Sequence, residues 1–381
     1  MKREGPMSAR SSVSLQDRIL DKFTSSDALV SVVVVILGFL VGTILVAVVG
    51  RDPGGMYSAI TQVLTGWDLR RGVWNARYIG EWLVVSMPLI LCGLSMAFAA
   101  RTGLFNIGAE GQYIVGLTAA QFVALYGPPI PVLHWVLAVL AALLAGAVWG
   151  GIVGILKAKY SVSEVVATIM LNYVAFFSSR FLTMLIPGAN TYRTPNFPTT
   201  ALLDSPFLQG LTNGSRLNDG LWLTLLSVLF FWVVIGRTRL GFSLRATGLN
   251  KEAARYAGIN VNSGITTAMA ISGAFAALAG AIVALGAFTY GRVLGGQDGY
   301  GFNGIAVALV GNSTAWGTAL SGLLFGMLTS AQPLMQSRQI PKEITSIIMG
   351  LVVVFISLRG GVRMLLEWRM KELARKGRVS E

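Results

Sequence analysis

From Gly111 to Leu156 the chain runs for 46 residues without an Asp, Glu, Lys or Arg. A bilayer core of about 30 Å takes roughly 20 apolar residues as helix, because backbone amides in lipid must find partners within their own segment. The GPPIP stretch at Gly127 to Pro131 cannot continue a helix, so it divides the run into two spans. Ala28 to Gly50 and Trp82 to Ala100 are likewise uncharged over 23 and 19 residues. Only 12% of all residues are charged, against about 25% in soluble domains. These features predict an all-α, polytopic membrane protein with about ten transmembrane helices.

The expected spans are Ala28 to Gly50, Ile79 to Ala100, Ile107 to Tyr126, Leu133 to Leu156, Glu164 to Ile186, Leu221 to Gly236, Gly264 to Phe288, Phe302 to Asn312, Ala315 to Leu334 and Ile344 to Leu358. The eighth and tenth are short, which predicts partial or broken helices shielded by protein. With the N-terminus inside, inner segments carry 20 Lys and Arg and outer loops 9, so both termini are expected in the cytoplasm. Residues 1–27 and 359–381 read as basic cytoplasmic tails flanking a permease domain at 28–358. The net charge of +13 is accounted for by orientation and anionic membrane lipid, without nucleic acid.

Enzyme signatures are missing. The chain has no Gly-Lys dipeptide and hence no phosphate-cradling P-loop, and its single cysteine and single histidine leave little for a triad or metal site. Gly299, Gly301 and Gly304 match GxGxxG in form but lack the strand and βαβ unit that the fingerprint needs. Cys92 cannot form an intrachain disulfide, and His134 reads as a packing residue at the outer end of the fourth span. Gly146, Gly150 and Gly154, like Gly322 and Gly326, stand four apart and read as helix-packing stripes. Whether these stripes face within the subunit or toward a second one stays open.

Two segments interrupt the apolar pattern in similar ways. Arg101 to Gly116 sets Asn106, Glu110 and Gln112 among glycines, and Gly291 to Gly311 does the same with Gln297, Asp298 and Asn303. If 79–186 and 264–358 are repeats, this topology makes them inverted, and inverted repeats place broken helices around a central route. The two breaks are therefore candidates for the pathway, or else ordinary helix starts with Glu110 favoured near a helix N-terminus. Glu164, Thr168 and Asn172 share one face of the fifth span. That stripe either lines the route or holds a neighbouring helix.

Between the sixth and seventh spans, in the loop at 237–263, LGFSLRATGLNKEAARYAGI from Leu240 to Ile259 is basic and reads as a short helix built to touch another protein. FNIGAEGQ, SEVVATIMLNYVA, GFSLRATGLNKEAARYAGI and GYGFNGIAVALVG stand in the order found in permease subunits of ABC importers for nucleosides and simple sugars. The chain resembles that group, which also holds ribose-type and branched-chain amino acid permeases, from about Ile79 to Leu358, with wording closest to the nucleoside branch.

The resemblance implies that Glu252, Ala253, Ala254 and Gly258 form the EAAxxxG coupling helix, with Arg245, Asn250 and Arg255 beside them. Asn250 would cap its start and Gly258 its end. It further implies a second homologous permease, a cytoplasmic ABC ATPase that carries the ATP and Mg, an extracytoplasmic binding lipoprotein docking on outer loops such as Pro187 to Asp219, and a place in the bacterial cytoplasmic membrane. No cofactor is expected on this chain. Ser163, in place of the usual Asn, and GNSTAWG at Gly311 to Gly317 depart from the family's wording. A sodium- or proton-driven secondary transporter, or a passive channel, would share the broken helices without needing a coupling helix.

Overall fold

The computed structural model describes residues 27–358, so the basic tails fall outside the described residues apart from Asp27. Each of the ten expected spans coincides with a helix: α1 (Asp27–Val48), α3 (Arg77–Arg101), α4 (Ala109–Tyr126), α5 (Leu133–Tyr160), α6 (Glu164–Met184), α8 (Gly220–Arg237), α11 (Val261–Gly286), α12 (Tyr300–Val310), α13 (Ala315–Gln336) and α14 (Glu343–Ser357). By length and composition α3, α5, α6, α8 and α11 can each cross a membrane, and Val35–Val48, α12 and most of α14 are shorter apolar helices. As expected, the eighth span is short.

The outer loops hold more structure than apolar runs reveal. α2 (Pro53–Thr65) begins at Asp52, whose carboxylate accepts from Gly54 N, and ends at Gly66 in the left-handed region. A hairpin of β1 (Trp67–Asp68) and β2 (Val73–Trp74) follows. Asp-Pro at the start of α2 is a legible helix-start signal, an N-cap followed by proline in the first turn. Beyond α6, β3 (Arg193–Asn196) pairs antiparallel with β4 (Tyr290–Arg292), and α7 (Pro206–Leu211) lies between β3 and α8. The 187–219 segment is thereby fastened to the segment preceding α12.

α3 and α11 form the buried centre and run antiparallel. Gly248 lies against Thr102 and Gly103 near the end of α3, while Gly264 near the start of α11 faces Thr247 and Leu244. At the opposite end Val84 and Met87 share a cavity with Ile282, Val283 and Phe288. Packing is reciprocal: α3 lies against α12 and α13, and α11 against α4 and α5.

Glycine makes both approaches possible. A Cβ on Gly150 would collide with the Met269 carbonyl oxygen, and one on Gly273 with the Gly146 carbonyl oxygen. Gly322 and Gly326 lie as closely against Ile90 and Ser86 on α3, where an added Cβ would meet the side chain first and the Cα behind it. Both glycine stripes therefore face inward within the subunit, where close backbone contact replaces the hydrophobic drive that lipid does not supply. His134, in the first turn of α5, is fully buried, with its ring nitrogens 2.9 Å from Thr200 Oγ1 and 3.0 Å from the Val123 carbonyl. Cys92 is a buried free thiol.

Candidate functional site

The two polar breaks meet at the middle of the fold. Glu110, in the first turn of α4, is wholly buried, and its carboxylate oxygens accept from Gly299 N at 2.8 Å and Gly301 N at 2.7 Å. It thus caps the N-terminus of α12 from another helix, where backbone N–H groups lack intrahelical partners and negative charge is favoured. Gly301 permits this approach, since a Cβ there would overlap the Glu110 backbone.

Asn106 closes the first break around itself. Its amide donates to Ser272 Oγ at 2.7 Å and to Gln112 Oε1 at 2.8 Å, and its oxygen accepts from Gly108 N. Asn172 fastens the same break to α6, accepting from Gly111 N at 2.8 Å and donating to the Ile107 carbonyl at 3.1 Å. Thr168 is buried against Gly108 and bonds back to its own helix. Glu164 pairs with Lys157 Nζ at 2.7 Å.

Two adjoining cavities lie beside α12. The first, of about 300 Å³, is bounded by α3, α11 and the segment leading into α12, with Arg216, Asn218, Arg292, Asp298, Tyr300 and Asn303 as its polar wall. The second, an open groove of about 410 Å³ in which Asn303, Ser346 and Gly350 are exposed, runs between α12, α13 and α14 and shares Asp298, Asn303 and Thr329 with the first. Asp298 is held by Arg292 through two contacts at 2.6 and 2.8 Å, and accepts from Tyr113 Oη at 2.8 Å. Arg216 is paired with Glu81 at 2.6 Å. Every cation lining these cavities therefore already has a carboxylate.

At the end far from these cavities the basic loop folds as two helices, α9 (Arg239–Leu249) and α10 (Lys251–Tyr256), broken at Asn250. Asn250 caps α10, its side chain accepting from Ala253 N at 3.0 Å. Gly258 closes α10 as expected: it sits in the left-handed region at φ +80 and donates to the Arg255 carbonyl at 3.0 Å, while Ile259 N donates to the Ala254 carbonyl at 3.0 Å. Glu252 and Arg255 form an exposed ion pair at 3.1 Å, while Ala253 and Arg245 are exposed as well. Ala254 is buried at 4% exposure and faces its own subunit. It seats α10, and the outward surface is made by Glu252, Ala253, Arg255 and Tyr256. Arg101 fixes the turn after α12 at this same end, donating to the Ser313 and Asn312 carbonyls at 2.7 and 3.2 Å, so the first four residues of GNSTAWG are a tight turn and the last three open α13.

The structure separates the expected pathway residues into two sets. Asp298 and Asn303 line cavities; Asn106, Glu110, Gln112, Thr168 and Asn172 are buried within hydrogen-bonded or tightly packed joints, and Glu164 is ion-paired. Arg292, Tyr113, Arg216 and Asn218 escaped sequence reasoning, as did Gln332 and Ser346. One signal was available: Arg292 is an isolated cation six residues before Asp298.

A bundle of apolar helices with two abutting polar breaks, paired polar cavities and an exposed amphipathic helix at the opposite end defines a membrane transport subunit. The chain belongs to the family of branched-chain amino acid transport system permease components, whose model matches residues 78–357. It is 40% identical to the guanosine ABC transporter permease protein NupP of Bacillus subtilis, over 92% of this chain and 98% of that one. It is 33% identical to the nucleoside ABC transporter permease protein NupB of Lactococcus lactis, over 87% and 91%, and 36% identical to the glucose ABC transporter permease protein TsgB13 of Haloferax volcanii, over 72% and 75%. No solved structure matches it. The chain is a multi-pass permease subunit of an ABC importer and not a secondary transporter, and membership implies ATPase and substrate-binding partners in general.

Proposed function

We propose that this permease carries neutral nucleosides across the bacterial cytoplasmic membrane, pairs with a second homologous permease, and is driven through α9 and α10 by an ATPase that holds the ATP and Mg. One observation carries the substrate class. A carboxylate-bearing substrate such as an amino acid calls for a free cation or an open helix N-terminus. Here Arg292 and Arg216 are each paired, and the N-terminus of α12 is filled by Glu110. What the cavities offer is amides, hydroxyls and apolar walls, which suit a neutral ligand rich in hydroxyl and amide groups.

The guanosine and nucleoside permeases among the relatives agree with this reading. The reciprocal packing of α3 and α11 supports inverted repeats at 79–186 and 264–358. α14 runs back toward the end where α9 and α10 lie, antiparallel to α13, which supports cytoplasmic placement of the termini. The 187–219 segment, tied by β3 to β4 beside the first cavity, is the surface on which a binding lipoprotein would deliver substrate.

The test is uptake in cells lacking this permease. Labelled guanosine or inosine uptake should fall to background and return with the gene, leaving leucine uptake unchanged. Loss confined to leucine would overturn the nucleoside assignment, and loss confined to glucose would move it to the sugar branch.

A further inference from the structure

The second cavity holds polar groups that the fold itself does not use. Three helices each present one stripe to it: Asn303 and Ala306 of α12, Phe325, Thr329 and Gln332 of α13, and Ser346, Gly350 and Val353 of α14. The spacings of three, four and seven residues put each set on a single helical face. Thr329 Oγ1 donates to the Phe325 carbonyl, and Asp298 is occupied by Arg292 and Tyr113. Among the described residues the side chains of Asn303, Gln332 and Ser346 have no hydrogen-bond partner.

Pro333 adds a fourth polar group. Lying inside α13, it cannot donate the usual helical N–H to the Thr329 carbonyl, which therefore stays an acceptor beside the cavity. Free amides turned toward lipid would be costly, so a wall of this kind belongs to a wetted or ligand-filled space. Met349, Phe325 and Val353 complete it with apolar surface.

We propose that Asn303, Gln332 and Ser346 are the specificity-determining residues of the importer. They read the hydrogen-bonding edges of a neutral nucleoside while Phe325 and Met349 hold its flat apolar face. The assignment rests on the nucleoside reading above. Gln332 and Asn303 each offer a donor and an acceptor, which matches the alternating edges of a base or the vicinal hydroxyls of a sugar. Entry would come from the first cavity past Asp298, Asn303 and Thr329, the residues the two spaces share.

The single cysteine of the chain is buried, so Ser346→Cys would place one accessible thiol in this chamber. In the whole transporter in membranes, alkylation of that thiol by a small maleimide, read on this chain by mass spectrometry, should slow at least about threefold with saturating guanosine and not with leucine. Gln332→Leu, an uncharged change, should raise the KM for nucleoside uptake about tenfold, the effect of one lost hydrogen bond to an unsatisfied partner. It should also change the ranking among competing nucleosides, which a merely structural residue would not. Failure of the unmodified transporter to carry nucleosides counts against the function itself. Normal nucleoside uptake with no protection of the thiol, and an unaltered ranking in Gln332→Leu, would overturn the chamber assignment alone.

Discussion

Replacing Glu110 by alanine should abolish transport and sharply lower the amount of folded permease recovered from membranes. The side chain is fully buried, and its two oxygens accept from the N–H groups of Gly299 and Gly301. Alanine leaves both donors without partners at the start of α12, Gly301 N buried and Gly299 N partly buried. At about 1–3 kcal/mol for each unsatisfied group, the loss is about 2–6 kcal/mol. Glutamine should rescue little, because its NH₂ must face one of the two backbone donors. Aspartate is too short by one methylene to reach both. Fluorescence-detected size-exclusion of detergent extracts checks the result; a Glu110→Ala protein that elutes as a sharp wild-type peak and transports normally would mean that the joint between α4 and α12 is dispensable.

Gly150→Leu should be at least as damaging, for a different reason. α5 and α11 meet backbone to backbone, and the first added carbon would overlap the Met269 carbonyl oxygen. Neither side can yield by a rotamer change, so the helices must separate along the stripe that also contains Gly146 and Gly154. Overpacking costs typically about 1–3 kcal/mol where side chains can adjust, and more where backbone must move. The neighbouring glycine supplies the control. A Cβ on Gly151 would have its nearest neighbour, Ala270 Cβ, at 3.9 Å. Gly151→Ala should therefore be neutral or stabilising, since alanine is favoured over glycine in a helix by about 1 kcal/mol. Equal losses of folded protein for Gly150→Leu and Gly151→Ala would show that close approach of α5 and α11 is not what the glycines provide.

The helices were legible because long apolar runs announce themselves by composition, and each of the ten expected spans coincides with a helix. Partner faces were not. Gly146 to Gly154 predicted a close contact, but only the fold shows that α11 receives it. Asn106, Glu110 and Asn172 were recognisable as polar groups that could not face lipid, yet a buried polar residue satisfied by a backbone break and one that lines a route look alike in sequence. The cavity was hardly readable at all. Its polar wall gathers Arg216, Asn218, Arg292, Asn303, Thr329, Gln332 and Ser346 from segments up to 130 residues apart. Arg292 was counted as an ordinary loop charge, although its bidentate hold on Asp298 makes the wall electrically neutral. In the basic loop the EAA pattern located α10 and its Asn250 cap, whereas the inward turn of Ala254 follows from how α10 seats on the bundle.

The central claim is that transport is driven mechanically through the exposed face of α10. Ala253→Cys puts an accessible thiol on that face, beside the Glu252–Arg255 pair. In membranes containing the whole transporter, a short thiol-to-amine cross-linker should join this position to the ATPase subunit, with a yield that changes when ATP is trapped. The same thiol should be modified by an impermeant reagent only from the cytoplasmic side. Modification from the outside, or an intact transporter in which this thiol never joins the ATPase, would contradict the account.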